Sequence, residues 1–171
     1  MKLVSEEVIR GFPIFKKLSK GALRQLLRII EIEDYAPQEI VYKEGDAPDY
    51  LYILVNGRVI ATSTHQGQEV EIELIKKGVP FGVISLFTDE PHSVTARSIE
   101  RSTILKIEKE KFRSFLQRAP LLALDFSQIL SKRVKKRSGK PKKFFNLLKL
   151  QSLALRKGWE KQSIWWTSPR R

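Results

Sequence analysis

Between Glu31 and Ile107 the apolar positions fall in short β-branched and aromatic runs: EIEDY, EIVYK, YLYILV, RVIATST, EVEIELI, SVTARSI and STILKI. Such residues suit a pleated, half-buried surface, and runs spaced about 8–12 residues apart predict a sandwich or barrel. Asn56-Gly57 stands between YLYILV and RVIATST. It predicts a hairpin closed by a type I′ turn, whose two central residues need positive φ. Gly45, Gly67 and Gly78 mark further tight turns, and Pro37, Pro48, Pro80 and Pro91 fall between the runs. The spacing changes on either side. After a short opening helix, Ser19 is the expected N-cap of a helix with Leu23, Leu26, Leu27 and Ile30 at helical intervals. Beyond Glu108, Phe112, Phe115 and Leu116 share one helical face. Pro120 then restarts the chain, and Leu121, Leu122, Leu124, Ile129 and Leu130 lead toward Val134. The apolar face of 121–134 offers a seam for a helix-mediated homodimer.

The chain has 171 residues, which implies one domain and a tail, and a 42% hydrophobic content is enough to fill a core. Charge divides it unevenly. Residues 1–130 hold 18 Lys/Arg and 18 Asp/Glu, whereas 131–171 hold 14 Lys/Arg and a single acid, Glu160, so the whole net charge of +13 belongs to the tail. The absence of cysteine excludes a disulfide framework, a thiolate nucleophile and a zinc–thiolate site. No run has signal-peptide character or the length of a membrane span, so a cytoplasmic protein is expected. No GxxxxGK[ST], HExxH or GxSxG occurs, and the two histidines, His65 and His92, lack metal-ligand spacing. An enzyme is therefore not expected. His65, in Thr64-His65-Gln66-Gly67, reads as a solvent-facing turn residue, and Asp34 and Glu90 as surface charges.

The stretch Val41-Tyr42-Lys43-Glu44-Gly45-Asp46-Ala47-Pro48-Asp49-Tyr50-Leu51-Tyr52-Ile53-Leu54-Val55-Asn56-Gly57-Arg58-Val59 resembles the first signature of the cyclic-nucleotide-binding domain family, as in Crp/Fnr-like regulators and protein kinase A regulatory subunits. Gly78-Val79-Pro80-Phe81-Gly82 is similar to the entry of that family's phosphate-binding cassette. The resemblance covers about residues 12–135. It implies a mainly β fold with flanking α: an eight-stranded β-roll, jelly-roll-like, with an N-terminal helix and C-terminal helices. It also implies a non-catalytic signal-receiving module whose C-terminal helix relays ligand state to an effector. The expected organisation is a roll domain over 1–135, a basic linker over 136–143 and a basic amphipathic tail over 144–171.

The resemblance places a cassette at Phe81, Gly82, Val83, Ile84, Ser85, His92, Ser93, Val94 and Thr95. In the family pattern an acid follows Phe-Gly and binds the ribose hydroxyl, and an Arg after Pro binds the phosphate. Here Val83 follows Phe81-Gly82, and His92 follows Pro91. Loss of a charge-assisted contact costs about 1.5–3 kcal/mol, so the two replacements together are expected to weaken cyclic-nucleotide binding by about two or more orders of magnitude. His92 supplies charge only when protonated, from a reference pKa near 6.5. Two readings of the cassette stand: a structural relic filled by Val83 and apolar neighbours, or a site for a cyclic nucleotide or other small anionic ligand held by the Ser85, Ser93 and Thr95 hydroxyls, nearby peptide N–H groups and Arg97. Phe81 and Phe87 are expected in the core.

Within 131–143, SKRVKKRSGKPKK, eight of thirteen residues are Lys or Arg. Beyond it, Phe144, Phe145, Leu147, Leu148, Leu150, Leu153 and Leu155 alternate with cations, and Trp159, Trp165 and Trp166 follow. That composition suits a helix docked on protein, a connector to an effector, or a segment on an anionic membrane surface. Clustered cations also permit nonspecific nucleic-acid contact. No second helix pair at helix-turn-helix spacing follows, which leaves a Crp/Fnr-like transcription regulator with a missing or shortened DNA reader, or a purely structural interaction domain, as the alternatives.

Overall fold

The computed structural model describes residues 5–138. The chain divides into two units, Met1–Phe126 and Ser127–Arg171, and the roll lies wholly in the first. Two capped helices open it. In α1 (Glu6–Arg10), Ser5 Oγ accepts the Val8 N–H at 3.3 Å; in α2 (Lys20–Leu27), Ser19 Oγ accepts the Ala22 N–H at 3.2 Å, as the N-cap pattern predicts. Leu23 and Leu26 of α2 are fully buried.

Eight strands follow: β1 (Ile30–Tyr35), β2 (Ile40–Tyr42), β3 (Tyr50–Asn56), β4 (Val59–His65), β5 (Gln68–Ile75), β6 (Pro80–Phe81), β7 (Thr95–Ser98) and β8 (Ser102–Glu108). They form two antiparallel four-stranded sheets, ordered β1-β8-β3-β6 and β2-β7-β4-β5. The inner faces meet in a core built on Tyr35, Tyr42, Tyr52, Leu54, Val59, Ala61, Ile75, Phe81, Ala96 and Ile104. The mainly β roll with flanking helices is thus the observed architecture. Its β6 has only two residues, too short to carry a periodicity, and Pro80 opens that strand rather than lying between strands.

The expected hairpin at Asn56-Gly57 is corrected. β3 and β4 do not pair; β3 lies between β8 and β6, and β4 between β7 and β5. Asn56 keeps negative φ, and only Gly57 is left-handed, at +90°. Here the chain leaves one sheet for the other and runs against β8, where a Cβ on Gly57 would lie 2.6 Å from Ser102 Cα. Glycine is required by close approach rather than by a two-residue loop. The crossing is tied by Ser102 Oγ, which donates to Arg58 O at 3.1 Å and accepts the Arg58 N–H, also at 3.1 Å. The positive-φ pair that closes a two-residue hairpin is Gln66-Gly67, at +51° and +78°, between β4 and β5 in the register His65↔Gln68. His65 is exposed there.

Helix α3 (Val83–Thr88) has no sequence prediction behind it, and α4 (Lys109–Arg118) and α5 (Pro120–Ser138) match the two closing helices. α5 continues past the expected boundary at 135, because Lys and Arg are good helix formers, and reaches Ser138. Gly139, Pro141 and the amphipathic tail over 144–171 lie outside the described residues.

Candidate functional site

The cassette is a loop, a helix and a return. Phe81 ends β6 and is 1% exposed. Gly82 caps α3 in the left-handed region, with φ at +71°. A Cβ on it would meet Tyr52 at 3.1 Å and His92 Cε1 at 3.2 Å, so the turn is pressed onto two rings and glycine is what fits. Val83, the first residue of α3, is completely buried, and Ile84 is half-buried. Ser85 is buried, with its hydroxyl donating to Pro91 O at 3.2 Å, which pins the helix to the returning chain. α3 ends at Asp89, itself left-handed with φ at +59°.

The return is anchored through the His92 backbone. Its N–H donates to Asp46 O at 2.9 Å, and its carbonyl accepts the Gly45 N–H at 2.7 Å. Gly45 and Asp46, read from the sequence as family markers, are therefore the loop to which the cassette is stitched. The His92 side chain turns inward, is 3% exposed, and stacks on Tyr42 with ring centroids 3.8 Å apart and planes within 16°. Tyr42 in turn lies 5.2 Å from Tyr52, which stacks on Phe81 at 5.4 Å. Four rings therefore occupy the space beneath the turn, and Tyr42 and Tyr52 are contributors that sequence reasoning missed. Both fall within the Val41–Val59 signature stretch, which did not mark them as cassette neighbours. Ser93 is exposed, Val94 packs partly on the core, and Thr95 opens β7 with its hydroxyl accepting the Glu44 N–H at 3.0 Å. The Arg97 guanidinium is 3.2 Å from the Glu69 carboxylate.

The electrostatics follow from burial. Desolvation lowers the His92 pKa below its usual 6.5, outweighing the pull of the Asp46 and Asp49 carboxylates, so the ring is neutral at pH 7. Desolvation likewise pushes the Tyr52 hydroxyl up, so it too stays neutral. Val83 has no charge to offer. At the two positions where the family pattern sets a carboxylate and a guanidinium, this cassette buries an isopropyl group and an uncharged imidazole. The His92 Nε2 has no hydrogen-bond partner among the described residues, and an orphan of this kind costs about 1–3 kcal/mol.

α3 is joined to the closing helices in two ways. Phe87 lies edge-on to Phe112 of α4 at 6.5 Å and 6.1 Å from Phe126 of α5, and Phe112 meets Phe126 at 5.1 Å. Phe87 is half-buried in that triad rather than in the roll core. The Asp89 carboxylate accepts from Arg113 at 2.7 Å and Lys109 at 3.2 Å, and Arg113 also donates to Leu86 O at 3.3 Å. The Arg113 hydrogen bond foremost, and Lys109 after it, hold Asp89 below its usual pKa against a smaller opposing desolvation.

A roll of two four-stranded sheets with a short helix inserted between β6 and β7 is the architecture of a cyclic-nucleotide receptor. The family profile for the cyclic nucleotide-binding domain matches residues 32–119, and the chain belongs to that family. It is 31% identical over 110 residues to the potassium channel KAT3 of Oryza sativa subsp. japonica, covering 64% of this chain and 22% of the channel. It is 27% identical over 128 residues to the cyclic AMP receptor protein of Thermus thermophilus, covering 74% of this chain and 59% of the receptor. The crystal structure of the Thermus thermophilus catabolite activator protein superposes with a TM-score of 0.67 at 25% identity, over 83% of this chain and 63% of that one. The chain therefore spans less than two thirds of the length of these relatives. No helix among the described residues is long and apolar enough to cross a membrane.

Proposed function

We propose that this chain is a non-catalytic regulatory module of the cyclic-nucleotide-binding type whose altered cassette binds cyclic AMP and cyclic GMP weakly or not at all. Ligand or partner state is relayed through α4 and α5. The observation that carries the reading is the pair Val83 and His92, both buried, both uncharged at pH 7, at the cassette's two charged positions. A cyclic phosphate entering here meets no cation from either side chain and displaces a stacked ring. The Phe87–Phe112–Phe126 triad and the Asp89–Arg113 pair support the relay, because through them α3 touches both closing helices.

Calorimetry with cyclic AMP and cyclic GMP tests the proposal on the native protein and on the Val83→Glu/His92→Arg double variant. The native protein is expected to give no saturable heat at micromolar ligand, and the variant a gain of roughly two orders of magnitude in affinity. Micromolar binding by the native protein contradicts it. The 27% identity to a cyclic AMP receptor protein favours a second reading, a Crp/Fnr-like regulator. A sequence-dependent shift of duplex DNA would support that reading instead.

A further inference from the structure

Helices α2 and α4 pack against one another, and an open groove of about 430 Å³ runs along their junction, away from every cassette residue. Arg28 and Ile29 line it at the C-terminal end of α2; Lys111, Phe115 and Arg118 line it from α4. The α4 positions are spaced i, i+4 and i+7, so they lie along one face of the helix. Phe115, 5% exposed, and half-buried Ile29 give the groove apolar surface. The Lys111 ammonium is held by Glu108 at 2.6 Å, and Glu110, also in the lining, is held by Arg113 at 3.2 Å. Arg28 and Arg118 are both exposed, and neither has a carboxylate at ion-pair distance among the described residues. Each guanidinium has five donors in a planar fork matched to a carboxylate. Helix C-termini favour cations, which accounts for their positions but leaves the forks unfilled.

These charges are local, because residues 1–130 carry equal numbers of cations and anions. Residues 131–171 contain one acid and cannot supply paired carboxylates. We propose that the groove docks an acidic segment of a partner protein, with carboxylates on the Arg28 and Arg118 forks and an apolar side chain between them resting on Phe115 and Ile29. The apolar surface sets it apart from a polyphosphate surface, where apolar area is of no use.

The test uses the full chain and a fluorescein-labelled synthetic peptide with glutamates flanking a central leucine, followed by anisotropy. Both the native chain and Arg28→Gln/Arg118→Gln retain the basic tail, so its contribution is the same in each. The double variant is expected to bind at least about tenfold more weakly, with an unchanged melting temperature. A Leu→Ser peptide should also bind the native chain more weakly. Equal binding by the native chain and the variant overturns the proposal. So does a loss confined to phosphatidylserine vesicles or duplex DNA, which would make the two arginines a phosphate-binding surface.

Discussion

His92 and Gly57 are where single side chains decide the most. His92 is neutral when folded and has its usual pKa near 6.5 when unfolded, so below that value the unfolded chain takes up a proton that the folded chain resists. The stability held above pH 6.5 is then lost as pH falls toward the lowered folded value. Thermal melting followed between about pH 7.5 and pH 5.5 should show a falling midpoint, and His92→Phe, which keeps a ring against Tyr42 but cannot titrate, should flatten that dependence. A His92→Phe profile as steep as the native one would assign the effect to other groups. At Gly57 a substituted Ala meets both a φ of +90° and the β8 backbone, and Gly57→Ala should cost about 3 kcal/mol in denaturant unfolding. The sequence marked both residues, but for partial reasons. His92 was visible as a missing arginine while its burial was not, since exposure depends on Tyr42, fifty residues earlier. Gly57 was visible as a turn glycine, while the approach of Ser102 that requires it is a contact between distant positions.

Among the elements, seven of the eight strands and four of the five helices were legible, because each carries either a β-branched and aromatic run or a helical period. The two exceptions, β6 and α3, are the entry to the cassette. β6 has two residues and α3 has six, lengths at which neither period can be counted. The pairing of β3 with β4 was misread because Asn-Gly has the same local signature whether the chain turns within a sheet or crosses to another. α3 is held from outside by the three-ring cluster and by Arg113, and these should separate by experiment. Phe126→Ala removes a fully buried ring and should cost about 3–5 kcal/mol in global unfolding. Arg113→Ala breaks a half-exposed ion pair and should cost under about 1 kcal/mol. It should nonetheless speed hydrogen exchange at the amides of Leu86–Asp89, since Arg113 also holds the Leu86 carbonyl. Unchanged exchange there would remove Arg113 from the coupling of α3 to α4.

For the molecule as a whole, the two signature stretches sufficed to indicate the family, and the departures at Val83 and His92 to indicate a changed site. What surrounds His92 was not legible, since it is a stack of rings drawn from β2, β3 and β6. The groove between α2 and α4 was also hidden, because its surface joins residues more than eighty positions apart. The central claim is that the receptor scaffold persists around a cassette whose two ligand-anchoring positions, Val83 and His92, carry no charge. It is tested most directly by the imidazole nitrogen resonances of His92 at pH 7 while cyclic AMP is added. A neutral ring whose signals stay in place to millimolar nucleotide is the expected result; a charged ring, or a saturable shift at micromolar nucleotide, would contradict it.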